Sequence, residues 1–182
     1  MKKAIGYIEF KSIPIGIEAT DQMLKSANVE LVSATPLCPG KFVTIVTGDV
    51  GAVKASLKDG EHVGGIFVLE SHIIPNIHDA VFPALCGTGS VDDIKALGVI
   101  ETINAVSSIT VADTAVKAAN IRLIEVRMAR GLGGKAYVIL TGEVQAVKTA
   151  VKAAQVEMEE AGVITSYTVI PSPHKNIKQV IS

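Results

Sequence analysis

A chain of 182 residues has room for two small domains of about 90 residues each. Its 17 basic and 18 acidic residues leave a net charge of −1, which argues against nucleic acid or an anionic membrane as the main partner. The apolar share is 48% and the mean hydropathy +0.42, yet no apolar run approaches the roughly 20 residues a membrane span needs. Surplus apolar surface without a span points to extensive subunit contacts. Tryptophan is absent and aromatic residues make up 4%, so a stacking platform for bases or sugars is not expected. The start, Met1-Lys2-Lys3-Ala4, runs into an alternating strand rather than a signal-peptide core, so a cytoplasmic protein is expected. Two cysteines make no disulfide framework.

In chain order, Ala4 to Phe10 alternates as a strand, and Gly16 to Ser26 carries Ile17, Met23 and Leu24 at near-helical spacing. Asn28 ends that helix, and Val29 to Ala34 reads as a second strand. Pro36 and Pro39-Gly40 make a turn. Lys41 to Thr47 is a third strand, Gly48-Asp49 caps a helix to about Gly60, and Ile66 to Ser71 is a fourth strand. The order then repeats, with strands near 96–103, 121–128, 135–141 and 163–169.

The repeat is visible in the residues themselves. Ala4-Ile5-Gly6-Tyr7-Ile8-Glu9 returns as Ala96-Leu97-Gly98-Val99-Ile100-Glu101, and Lys25 to Leu31 returns as Lys117 to Leu123, both at an offset of 92 (96 − 4 and 117 − 25). Thr47-Gly48-Asp49-Val50 matches Thr141-Gly142-Glu143-Val144 at an offset of 94 (141 − 47). The two extra residues enter one loop, 35–40 against 127–134. That loop holds Cys38 in the first copy and an Arg/Gly-rich stretch in the second. The copies close on Ile74-Pro75-Asn76-Ile77-His78 and Ile170-Pro171-Ser172-Pro173-His174. The expected domains are 1–86 and 94–182, with a Gly/Ser-rich linker at 87–93. A βαββαβ unit with two helices on one sheet face is a small α+β sandwich.

In order and twice over, these phrases resemble the tandem-domain shell proteins of bacterial microcompartments, built from BMC domains. They are Gly6-x-Ile8-Glu9 with Gly98-x-Ile100-Glu101, the two Asp-x-x-x-Lys-x-Ala-Asn segments, Gly40-Lys41 with Gly134-Lys135, the Thr-Gly-acid-Val pairs and the Ile-Pro-x-x-His ends. The resemblance covers nearly the whole chain and is nearest the T-type shell proteins of propanediol-utilisation microcompartments. It implies two ferredoxin-like sandwiches per chain and a homotrimer of six-sided outline, a pseudohexamer; some relatives reorder the domain strands, and Ala4 opening the first copy argues for the unpermuted order here. The trimers tile edge to edge around encapsulated enzymes, in the microcompartment shell. It also implies that a first-domain Cys-Pro-Gly-Lys loop, here Cys38-Pro39-Gly40-Lys41, binds an iron–sulfur cluster at the centre of the trimer.

Chemistry supports that reading of Cys38 without deciding it. A thiol in a Pro- and Gly-flanked turn is exposed rather than packed, and Cys-Pro also occurs at cluster ligands of bacterial ferredoxins. One cysteine cannot hold a cluster, whereas three around a threefold axis can supply three ligands of one [4Fe–4S] cluster per trimer. Lys41 would add balancing positive charge. The plain alternative is an exposed turn cysteine with no cofactor. Cys86 reads as a small apolar packing residue, with a second ligand as the alternative.

The resemblance places both loops around a central opening, with Pro39, Gly40, Arg130, Gly131, Leu132 and Gly133 lining it. Arg130 would bias the opening toward anions, or simply decorate a longer turn. Lys25 and Lys117, four residues after Asp21 and Asp113, form i,i+4 pairs on a helix. The resemblance puts them, with His78 and His174, along the tile edge. No metal spacing links the histidines to His62 or His72.

No catalytic phrase, dinucleotide fingerprint or phosphate loop is present in the sequence, so an enzyme is not expected. The expected function is a shell tile passing single electrons across the shell, with an encapsulated or cytosolic redox protein as partner, or delivering the cluster to enclosed enzymes. The alternatives are a tile with a metabolite pore and no cofactor, or a regulatory trimer that binds a small molecule.

Overall fold

The computed structural model describes residues 4–89, 94–128 and 131–181. The chain divides into two compact units at Ile77/His78. The first runs β1 (Ala4–Phe10), α1 (Ile13–Ser26), β2 (Glu30–Leu37), β3 (Lys41–Gly48), α2 (Val50–Gly64) and β4 (Val68–Ile74). Its sheet has the order β2-β3-β1-β4 with every pair antiparallel. Alternation on β1 sends Ala4, Ile8 and Phe10 into a core with Met23 of α1, Phe42 and Val46 of β3, and Val53 and Leu57 of α2.

Gly6, in the repeated Gly-x-Ile-Glu phrase, lies where α2 presses on β1. A Cβ there would fall 2.4 Å from Val53 Cγ1. In the second unit Gly98 plays the same part, with a Cβ 2.7 Å from Leu140 Cδ1 and 2.9 Å from Val147 Cγ1.

The second unit opens with the short α3 (Val81–Leu85). It continues with β5 (Ala96–Thr102), α4 (Ser107–Ala118), β6 (Ile121–Met128), β7 (Ala136–Gly142), α5 (Val144–Glu157) and β8 (Ile164–Pro171), and closes on α6 (Lys178–Ile181). The sheet order β6-β7-β5-β8 repeats the first, and so do the irregularities: bulges at Leu31/Ser33 and Leu123/Glu125, and at Glu9/Phe10 and Glu101/Thr102. Here the face of the sheet turned away from α4 and α5 is covered. Leu97, Ile124 and Ile139 pack there with Ile177 and Ile181 of the C-terminal segment.

Element types and order agree with the sequence expectation, and several bounds shift for physical reasons. Helix α1 begins at Ile13, because Pro14 suits the first turn, where its missing N–H costs nothing. Strand β2 continues through Pro36 to Leu37; β2 is an edge strand, so a proline need break no ladder bond. The turn therefore shrinks to residues 38–40. Helix α2 runs on to Gly64, and a 3₁₀ turn at Gly65–Phe67 delays β4 to Val68. Asp49 occupies the N-cap of α2, but its side chain makes no capping bond.

Residues 78–86, expected at the end of the first domain, belong to the second unit. Val81 and Ala84 are buried, α3 packs on β6 and α4, and the His78 N–H is bonded to Asp113. Cys86, expected as a packing residue, is exposed. It terminates α3, its own N–H donating to the Phe82 carbonyl at 3.0 Å.

Candidate functional site

The β2–β3 hairpin is pinned on both sides of its tip. Leu37 and Phe42 are buried, and Leu37 pairs with Lys41, so Cys38, Pro39 and Gly40 alone form the loop. The Cys38–Pro39 peptide is cis, and Gly40 has φ +75°. That backbone conformation favours glycine, although a Cβ there would meet nothing within 4 Å. Cys38 is half-buried, while Pro39 and Gly40 are exposed. The tight turn expected from the sequence is present, but its cysteine, expected to be exposed, is half-buried.

In the second unit, pairing ends at Met128↔Ala136, and the corresponding loop is longer. Gly131, Gly133 and Gly134 have φ of 74°, 62° and 96°, and the Lys135 N–H donates to the Leu132 carbonyl at 3.2 Å. Gly131 and Gly133 are exposed and Leu132 half-buried. Arg130 lies outside the described residues. Both loops thus occupy the same hairpin of their own unit, and both lead into a strand rather than a helix.

Behind each tip stands an acid–base pair that the sequence did not single out as a pair. Lys41 Nζ lies 2.5 Å from Glu9 Oε1, and the Glu9 side chain is only 4% exposed. The Lys41 charge, expected to face a cluster, is therefore committed to a buried carboxylate. The second copy repeats the contact more loosely, Lys135 Nζ to Glu101 Oε1 at 3.1 Å, with the Glu101 side chain 35% exposed. Hydrogen bonds from Thr165 and Lys135 hold the Glu101 carboxyl below the usual range. Beside Glu9, Tyr7 donates to Glu70 Oε1 at 3.2 Å; burial and that carboxylate push the phenol well above its ordinary pKa. The signal for the pairs lay in the repeat itself, since Glu9 and Lys41 both recur as Glu101 and Lys135.

The expected edge residues fall into two settings. Lys25 pairs with Asp21 on the open surface of α1. Lys117 pairs with Asp113 at 2.5 Å, but this Asp113 is buried, and its other oxygen accepts the His78 N–H at 2.8 Å. Lys117 and His78 are thus brought together on one carboxylate. His78 Nδ1 accepts the Ala80 N–H at 3.2 Å, and His174 Nδ1 accepts the Asn176 N–H at 3.3 Å. The residues two before each, Asn76 and Ser172, both have positive φ, 57° and 50°. The two histidines close equivalent turns. Among the described residues no group of three or more His, Cys, Asp or Glu side chains could hold a metal within one chain.

A sandwich built twice in one chain, with matching strand orders, bulges and hairpins, defines a tandem-domain protein of BMC architecture. The BMC domain family matches residues 4–77 and 96–173, and the chain belongs to it as a bacterial microcompartment shell protein. It is 44% identical to the bacterial microcompartment shell protein PduT of Citrobacter freundii over 177 residues, 97% of this chain and 96% of that one. It is also 42% identical, over 84 residues, to the shell protein PduA of Salmonella typhimurium, covering 44% of this chain and 87% of that one. A crystal structure of a microcompartment protein from Desulfitobacterium hafniense superposes with a TM-score of 0.95 at 42% identity, covering 98% of this chain and 99% of that one. The fused permuted hexameric shell protein MSM0275 superposes with a TM-score of 0.62 at 26% identity, over 87% of this chain and 82% of its own. Here the first strand of each sheet in chain order, β1 or β5, is an inner strand. Among the described residues, no helix is long and apolar enough to cross a membrane.

Proposed function

We propose that this shell protein assembles as a homotrimer, and that Cys38 from three chains holds one [4Fe–4S] cluster on the threefold axis. The observation that carries the reading is the Cys38 tip. It is a single thiol on a three-residue hairpin loop, in the copy that differs from its twin chiefly at that loop. The residues fit the group. The thiol is partly accessible, Gly40 leaves open space beside it, and a thiolate is the donor such clusters take. One chain supplies too few ligands; three supply three, leaving one iron to a non-protein ligand.

Cys38 would hold the cluster through its sulfur, Pro39 and Gly40 would line the axis, and Lys41 keeps to Glu9. When bound, such a cluster supplies one-electron redox chemistry. In the tile it would close the opening to metabolites and carry electrons between lumen and cytosol, toward a redox protein on either side. Gly131, Leu132, Gly133 and Arg130 of the second copy are assigned to the same opening. Lys25, Lys117, His78 and His174 are assigned to edges that meet neighbouring shell proteins.

Anaerobic iron and sulfide analysis with EPR, on wild type and Cys38→Ser, tests the reading. About four irons and four sulfides per trimer, lost in the variant while the trimer persists, is the expected result. No iron after anaerobic reconstitution would overturn it and leave a tile whose central loops form an ordinary pore.

A further inference from the structure

We infer that Glu9 is a positioning residue for the Cys38 tip, acting through Lys41; the inference rests on the reading of Cys38 as a cluster ligand. Lys41 is the first residue of β3 and the cross-strand partner of Leu37, so its backbone is the root of the loop 38–40. Glu9 sits on β1, opposite Val43, two residues along from Lys41. The ion pair therefore ties the root of the hairpin across to the neighbouring strand.

Glu9 is 3% exposed and lies directly opposite Glu70 in the β1–β4 register, so two carboxylates share one end of the sheet. A buried carboxylate facing a like charge needs a cation held close, and Lys41 supplies it at 2.5 Å. Breaking the pair would strand that charge, so the lysine is held where it is and the loop root with it.

The duplication provides an internal control. Its second copy has the same acid and lysine, but the contact is 3.1 Å and half-open to solvent, the acid is shared with Thr165, and Ser166 stands where Glu70 opposes Glu9. That looser clamp backs a loop with no cysteine. The tight clamp and the thiol occur in the same copy.

The test compares Glu9→Gln with Glu101→Gln in the full-length protein, reading amide hydrogen exchange with no cluster loaded and iron per chain after reconstitution. Glu9→Gln is expected to speed exchange at residues 37–42 about tenfold, by local opening of the hairpin. Bound iron should fall several-fold while the oligomer is retained. Glu101→Gln should leave exchange at 37–42 and the iron unchanged. Should Glu9→Gln fold poorly, Glu9→Gln/Lys41→Met removes both charges and is expected to show the same fast exchange at the tip and the same loss of iron.

Exchange and iron content at wild-type levels in both Glu9 variants would overturn the inference while leaving the cluster reading intact. A wild type that binds no iron would remove the cluster reading and, with it, the ligand role of the tip. Faster exchange in Glu9→Gln would then support only the mechanical clamp.

Discussion

Asp113 and His78, 35 positions apart, are joined by a 2.8 Å bond from the His78 main-chain N–H to one carboxylate oxygen, while Lys117 occupies the other. The same acid–lysine spacing in the first copy, Asp21 and Lys25, lies on open surface. Two phrases that read alike in sequence therefore do different work. One is a solvated helix pair, and the other fastens the start of the second unit onto its own α4.

The energetic consequence differs accordingly. Asp113→Ala removes the acceptor of two donors at a buried site and is expected to cost about 1–3 kcal/mol. Asp21→Ala is expected to cost less than about 0.5 kcal/mol, as exposed i,i+4 pairs do. Denaturant unfolding of the two variants against wild type measures both.

The Gly-x-Ile-Glu phrase should be intolerant at its glycine. In Gly6→Ala the new methyl would stand 2.4 Å from Val53 Cγ1, so α2 must move away from β1. Overpacking of this kind typically costs about 1–3 kcal/mol. Gly98→Ala should behave alike against Leu140 and Val147, and thermal unfolding of both variants checks the equivalence.

Gly40 is constrained by its backbone and not by its space. Gly40→Ala keeps φ +75° only at a cost of about 1–2 kcal/mol, with no clash to relieve. Gly51, in the first turn of α2 with nothing near its Cβ position, should instead gain up to about 0.5–1 kcal/mol on substitution by alanine. Opposite signs in the two unfolding midpoints are the expected result.

Glu101 links stability to pH. Its carboxyl titrates below the ordinary value of 4.5, because Thr165 and Lys135 hydrogen-bond the charged form. A folded-state pKa below the unfolded one contributes stability that is present above about pH 4.5 and is lost as pH falls through the lower value. Glu101→Gln should therefore be destabilised relative to wild type near neutrality and converge with it in acid. Unfolding free energies between pH 7 and pH 3 would show the two curves closing; parallel curves would mean that the pair contributes nothing on folding.

Much of this protein is local information. The doubled phrases, the period-two alternation of β1 and β5, and the glycines and prolines at turns specify element type and order, because hydrophobic period and turn chemistry act over a few residues. The Cys38-Pro39-Gly40-Lys41 phrase likewise marked the tip. The tertiary structure alone decided the rest. It set β2 on a sheet edge, where Pro36 can stay in the strand. It also left Cys86 exposed at the end of α3. The segment 78–86 went to the second unit through a buried carboxylate. Glu9 took the Lys41 charge for itself. Each of these depends on which groups lie adjacent across strands, and on how much water burial removes from a charge, quantities that no spacing along one chain contains.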